Sequence, residues 1–141
     1  MWAKEFEHNG IKYSRLSSFS IISNKYITRR RYSCNTGILG FEIDHEHLHL
    51  ERNGILHIDA GFPFDGPSGP TLDTKNFMRG SLEHDPIYQL IELGFLPAWV
   101  KLQADWKLYK TCREDKMSKF RAHYVYEGVA KFAGFAILPT A

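Results

Sequence analysis

Apolar residues in the first third of the chain recur in short, uneven runs. Ile11, Tyr13, Leu16, Phe19, Ile21, Ile22, Tyr26 and Ile27 stand among serines and charged residues, a pattern of short strands or irregular extended segments. Phe41, Ile43, His45, His47 and His49 then occupy one parity, while Leu48 and Leu50 occupy the other. Asn53-Gly54 separates that stretch from Ile55, Leu56 and Ile58. Both residues of an Asn-Gly pair tolerate positive φ, so the spacing predicts strands near 41–51 and 55–60 joined as a hairpin.

Beyond position 73 the apolar period lengthens to that of helices. The first begins in or after Asp73-Thr74 and runs toward Glu92, with Leu82, Ile87, Leu90, Ile91 and Leu93 as packing residues. Pro86 is expected either to kink it or to open a separate helix. Pro97 can start a second helix, with Trp99, Leu102, Trp106 and Tyr109 as its repeating face and Glu114-Asp115 close to its end. A third covers about 118–134, where Phe120, Tyr124, Ala130 and Phe132 alternate with basic residues until Gly134 stops it. The expected fold is α+β: a small N-terminal antiparallel sheet with a hairpin, followed by about three packed helices.

With 141 residues, the chain suits one domain. Its expected parts are sheet-forming 1–60, a Gly/Pro-rich loop over 61–73, helical 74–134 and a tail over 135–141. Hydrophobic residues at 43% and charged residues at 24% are the composition of a folded globular chain rather than a disordered one. No run approaches the roughly 20 apolar residues of a membrane span, and Met1-Trp2-Ala3-Lys4-Glu5-Phe6-Glu7 lacks a signal-peptide core, so an intracellular start is expected. Cys34 and Cys112 are too few for a disulfide framework and read as free buried thiols. Residues 1–95 carry ten Lys/Arg against twelve Asp/Glu, and residues 96–141 carry eight against four. That basic C-terminal part suits a solvated helix face, or else a patch facing nucleic acid or an acidic partner. Arg29-Arg30-Arg31 lacks an accompanying reading motif, so specific nucleic-acid binding is not expected. No Walker loop, dinucleotide fingerprint or nucleophile elbow occurs, and no nucleotide or organic cofactor is expected.

Candidate chemistry concentrates in three places. Gly61-Phe62-Pro63-Phe64-Asp65-Gly66-Pro67-Ser68-Gly69-Pro70 is a stiff loop whose Asp65, Gly66, Ser68 and Gly69 could cradle a cation or a developing oxyanion, or simply close a structural corner. His84-Asp85 precedes Pro86, and Tyr88 lies one turn beyond His84 on the same helix face. Asp105 sits on the next helix, where its carboxylate could bond the imidazole across two antiparallel helices. Such a pair fixes the tautomer and leaves the second ring nitrogen to take a proton; it is also a way to satisfy a polar core. His45, His47, His49 and His57 could contribute to a metal site if they share a strand face, or stand on a solvated hairpin. Trp99, Trp106, Phe120, Tyr124, Tyr126 and Phe132 serve either an aromatic ligand groove or helix packing.

Phe64-Asp65-Gly66-Pro67-Ser68, His84-Asp85-Pro86-Ile87-Tyr88 and Ala104-Asp105-Trp106-Lys107-Leu108-Tyr109, in that order, resemble a phage-associated domain family with a Phe-Asp-Gly-Ala-Ser-like loop, a His-Asp-x-x-Tyr motif and a later Ala-Asp helix. Pro67 replaces the usual alanine, and Gly69-Pro70 the usual Ile-Pro. The resemblance spans about residues 55–134 and implies a phage or prophage context, with synthesis in a host cytoplasm and incorporation into a virion as one destination. His84-Asp85-x-x-Tyr88 with Asp105 is also similar to the paired helices of secreted phospholipases, although their disulfide scaffold and calcium-loop spelling are absent here. That similarity implies His84 as the base that activates water, Asp105 as the group that orients it, and Asp85 with the loop as calcium ligands. The resulting expectation is a phage-encoded, metal-dependent hydrolase of esters or amides. Its catalytic residues are His84 and Asp105, its metal ligands Asp85 and Asp65, and its supporting residues Tyr88 and Tyr109. Calcium or magnesium suits these oxygen ligands better than zinc. The alternatives are a non-catalytic virion structural or assembly protein, whose partners are phage structural proteins, and an inhibitor that binds a host protein.

Overall fold

A computed structural model describes residues 2–8, 11–16, 26–64 and 75–131, and shows an α+β fold of antiparallel sheets followed by three helices. The strands are β1 (Trp2–His8), β2 (Ile11–Leu16), β3 (Tyr26–Thr28), β4 (Tyr32–Asn35), β5 (Ile43–His45), β6 (Leu48–Leu50), β7 (Ile55–Ile58) and β8 (Pro63–Phe64). They form two four-stranded sheets, ordered β1-β2-β3-β8 and β4-β7-β6-β5. Thr28 ties the sheets together at the turn after β7. Its amide donates to the Phe62 carbonyl at 3.1 Å, its hydroxyl donates to the Asp59 carbonyl at 3.1 Å, and its carbonyl accepts the Gly61 amide at 2.7 Å.

The stretch expected as one strand over 41–51 is instead two, β5 and β6, folded back at Glu46-His47 with Glu46 at φ 50°. The turn accounts for the change of parity in the sequence. Ile43 faces Leu50 across it, and both are buried on the inner side. A consequence is that His45, His47 and His49 share no strand face. The Asn53-Gly54 hairpin is present, with Leu50 opposite Leu56 and Gly54 at φ 91°. A side chain at Gly54 would also stand 3.2 Å from the Gly37 nitrogen, so both conformation and space demand glycine there.

The helices are α1 (Lys75–Glu92), α2 (Lys101–Glu114) and α3 (Lys119–Lys131), with a single 3₁₀ turn (Ala98–Val100) leading into α2 after Pro97. Pro86 is accommodated inside α1, which runs through it as one element. Gly94, at φ 87°, ends α1: its amide bonds the Ile91 carbonyl and that of Phe95 bonds Leu90. Leu82, Ile87, Leu90 and Ile91 pack inward as the period predicts, but Leu93 lies past the last turn and is exposed.

Of the face expected on α2, Trp99, Leu102 and Trp106 face outward, with Leu102 68% exposed, while Tyr109 is partly buried. Val100, Ala104, Asp105, Leu108, Thr111 and Cys112 are buried instead. The reason lies on α1, where Gly80 makes room for the smaller stripe: a Cβ at Gly80 would stand 2.8 Å from Leu108 Cδ1 and 2.9 Å from Cys112 Sγ. Close approach there buries backbone and small side chains and leaves the large residues outside. Leu48, Leu50, Leu56 and Ile58 of the second sheet pack with Leu82, Ile87 and Leu90 in the main core. Phe77, Leu108, Cys112, Met117, Ala122 and Val125 form a second core where α3 crosses the other end of α1 and α2. Gly134 and the tail lie outside the described residues. Both thiols are free, as expected, and burial pushes each up to about 12, so neither is a ready thiolate.

The contact at Gly80 yields a test of the seam. Gly80→Val should destabilise the protein by about 2 to 3 kcal/mol through overpacking, because the helix-propensity gain of a β-branched residue over glycine is only about 0.4 kcal/mol. Chemical denaturation measures it, and a change below about 0.5 kcal/mol would contradict the close approach.

Candidate functional site

The seam between α1 and α2 contains two buried carboxylates, each hydrogen-bonded by a side chain from the opposite helix. Asp105 is 1% exposed. Its Oδ1 accepts from His84 Nε2 at 2.7 Å and from the Tyr88 hydroxyl at 2.5 Å, and its Oδ2 accepts from Lys101 Nζ at 2.6 Å. Lys101 also donates to the Ala130 carbonyl of α3 at 3.3 Å. The antiparallel run of α1 and α2 sets His84 and Tyr88, one turn apart, against Lys101 and Asp105, one turn apart. A chain of three donors on one short carboxylate results.

An ionised carboxylate only accepts, so His84 donates through Nε2 and the neutral ring keeps its lone pair on Nδ1. Nδ1 lies 3.9 Å from Asp85 Oδ1, beyond direct hydrogen bonding. The Asp85 side chain is 30% exposed, and solvent meets the network on this side. Burial works against a charge on His84, but Asp105 at Nε2 and Asp85 on the other side outweigh it and hold its pKa above the ordinary 6.5. Burial likewise opposes the Asp105 charge, and the bonds from His84, Lys101 and Tyr88 overcome it, keeping the carboxyl below its usual 3.8. Burial and then the Asp105 carboxylate push the Tyr88 phenol far up, so it acts as a donor only.

Glu83, 0% exposed, anchors the second network and carried no expectation from sequence. Its Oε1 accepts from the Thr111 hydroxyl and its Oε2 from the Tyr32 hydroxyl of β4, both at 2.5 Å. Lys107 and Arg79 stand at 3.7 Å from the two oxygens. Arg79 in turn binds Asp115 through Nε and Nη2 and Glu114 through Nη2. The Arg79–Glu83 and Lys101–Asp105 spacings of four were visible along the chain. The partners that Glu83 finds across the seam, Thr111 and Lys107, were not.

Among the expected site residues, His84, Asp105 and Tyr88 come together and Asp85 flanks them. Tyr109 does not join. It is partly buried against the second core, stacks on Trp106 at 5.0 Å and meets Tyr126 edge-on. Asp65, Gly66, Ser68 and Gly69 lie outside the described residues. His45 packs on Phe95 and His47 on Phe62, while His49 lies between Asp44 and Asp59, which raise its pKa. Among the described residues no group of three or more His, Cys, Asp or Glu side chains is arranged to hold a metal ion.

The pair's opposed shifts define a pH window. His84, raised, contributes stability that is complete below 6.5 and lost as pH climbs through its folded-state value. Asp105, depressed, contributes above 3.8 and loses that contribution as pH falls through its lower value. Unfolding from about pH 5 to about pH 9 should therefore show the stability advantage of native protein over His84→Gln shrinking on the alkaline side. The His49 contribution is common to both proteins and cancels. A pH-independent difference would contradict the charged pair. The chain has no significant match among protein-family models, curated proteins or solved structures.

Proposed function

We propose that the α1–α2 seam is a hydrolytic site in which His84 activates water against an ester or amide. The observation that carries this reading is the division of the imidazole. Nε2 is anchored on Asp105 at 2.7 Å, and Nδ1 is directed to the partly exposed Asp85 side. Water attacking a carbonyl carbon gives its proton to Nδ1, and the imidazolium then protonates the leaving group. Asp105 stabilises that imidazolium and keeps the ring in one orientation; Tyr88 and Lys101 keep Asp105 ionised and fixed. The similarity of His84-Asp85-x-x-Tyr88 and Asp105 to secreted phospholipases supports the assignment of base and orienting residue, and the phage-like motif order supports a phage-encoded enzyme.

A divalent cation fits this proposal only in part. Asp85 offers one hard carboxylate beside Nδ1, and the remaining oxygens would have to come from Asp65 and the loop, a set suited to calcium or magnesium. Such an ion, when bound, would stabilise negative charge on the carbonyl oxygen.

The test is turnover of a panel of ester, lipid, peptidoglycan and phosphodiester substrates, with and without calcium or magnesium. His84→Gln should lower turnover by about 100-fold or more, Asp105→Asn should retain part of it, and Asp85→Ala should weaken any cation dependence. Because the base must be neutral, kcat/KM should rise with pH through the raised pKa of His84. Absence of turnover across the panel under both conditions, or a His84→Gln variant as active as native protein, overturns the proposal.

A second reading, a phage assembly module or host-protein inhibitor, is favoured by the apolar residues on the helical surface. Trp99, Leu102, Trp106 and Tyr124 are exposed, and Phe120 is 85% exposed. On this reading the seam only braces the helices. Replacing Leu102 and Trp106 with serine should then abolish co-sedimentation with purified phage head or tail components, or with a host protein, while His84→Gln leaves it intact.

A further inference from the structure

The outward face of the second sheet carries polar side chains that neither core nor seam uses. Strand register sets Ser33 of β4 opposite His57 of β7, His57 opposite His49 of β6, and His49 opposite Asp44 of β5. Within this row, Ser33 Oγ lies 2.6 Å from His57 Nδ1, and His57 Nε2 lies 2.5 Å from Glu51 Oε2. Backbone alternation explains the contact. The Thr36 amide donates to the Gly54 carbonyl, so the ladder's hydrogen-bonded pairs fall at alternate positions and Ser33–His57 is a non-hydrogen-bonded pair, where facing side chains come closest. Glu51 follows β6, bonded through its amide to the Ile55 carbonyl, and is thus the diagonal neighbour of His57 on the same face. His49, the other imidazole in the row, is held between Asp44 at 2.7 Å and Asp59 at 2.8 Å and does not compete for Ser33.

Proton positions follow from the acceptors. An ionised Glu51 carboxylate only accepts, so His57 carries its hydrogen on Nε2, and the neutral ring's Nδ1 accepts from the Ser33 hydroxyl. This is a nucleophile bonded to a base that a third group orients. Ser33 is exposed, and β4 is an edge strand of its sheet. The same alternation turns the Ser33 amide toward that outer edge, a backbone donor beside the nucleophile.

We propose that Ser33, His57 and Glu51 form an acyl-transfer site for carboxylic esters, separate from the α1–α2 seam. Ser33 Oγ forms a bond to the ester carbonyl carbon while its proton passes to His57 Nδ1, and the carbonyl π pair moves onto oxygen. Collapse of that adduct breaks the bond to the alkoxide, which takes the proton from His57 and leaves as the alcohol, giving acyl-Ser33. Water repeats the sequence to release the carboxylic acid and restore Ser33. Glu51 stays ionised and positions the ring.

The full chain should be treated with a fluorophosphonate probe and, separately, with p-nitrophenyl acetate, with adducts located by peptide mass spectrometry. Modification should fall on Ser33 and vanish in Ser33→Ala. His57→Gln should slow it about 100-fold, Glu51→Gln should slow it without altering either reacting atom, and His84→Gln should leave it unchanged. These side chains stand on the sheet surface, and circular dichroism of each variant checks that the fold is kept. Labelling of Ser33 no faster than that of the chain's other serines, or labelling that survives His57→Gln at the native rate, overturns the proposal.

Discussion

Two carboxylates buried in one helix–helix seam constrain the rest of the molecule. Glu83 from α1 and Asp105 from α2 are withdrawn from water, and an unpaired buried carboxylate costs several kcal/mol. Each is compatible with the fold only while its donors stay in place, and those donors come from different elements. Tyr32 brings in the second sheet, Thr111 and Lys107 bring α2 to Glu83, and Lys101 reaches onward to α3. Sliding α2 by one turn would detach both sets together, so the networks set the register of α2 on α1 in a way apolar packing alone does not. Whether such networks add net stability is a separate matter; their clear effect is to penalise alternative registers.

That constraint also creates the chemistry. A histidine placed to serve a buried carboxylate through one nitrogen has its other nitrogen committed to a direction, here toward Asp85. Raised basicity of His84 and the depressed pKa of Asp105 are two expressions of one interaction, and the same bond that braces the seam prepares an acid–base pair. The outward face of the second sheet follows similar logic with a different frame. Strand register, rather than helix spacing, sets Ser33, His57 and Glu51 in line.

Packing at Gly80 accounts for the molecule's exterior. Because α1 lets α2 approach on its small residues, Trp99, Leu102 and Trp106 remain outside, where Trp106 stacks on Tyr109 and meets Tyr126 of α3. A hydrophobicity pattern weights residues by size and apolarity, and so it assigned the packing face of α2 to the wrong side. Space at a glycine on another helix decided it.

The α+β class, the Asn53-Gly54 hairpin and the three helices were determined by the chain itself, because periodicity and turn chemistry act over a few residues. His84 and Asp105 were also legible as partners, since a polar pair on two adjacent apolar helices has few ways to be satisfied. Glu83 was not, for its neighbours Tyr32 and Thr111 are 51 and 28 residues away. Nor was the break of 41–51 into two strands, where a turn at Glu46 lacks glycine, asparagine or proline. The line from Ser33 through His57 to Glu51 depended on strand order and register, with Ser33 and His57 brought opposite by a ladder that closes over 24 residues. Local rules choose the elements; which side chains meet is decided by burial and register, which involve the whole chain at once.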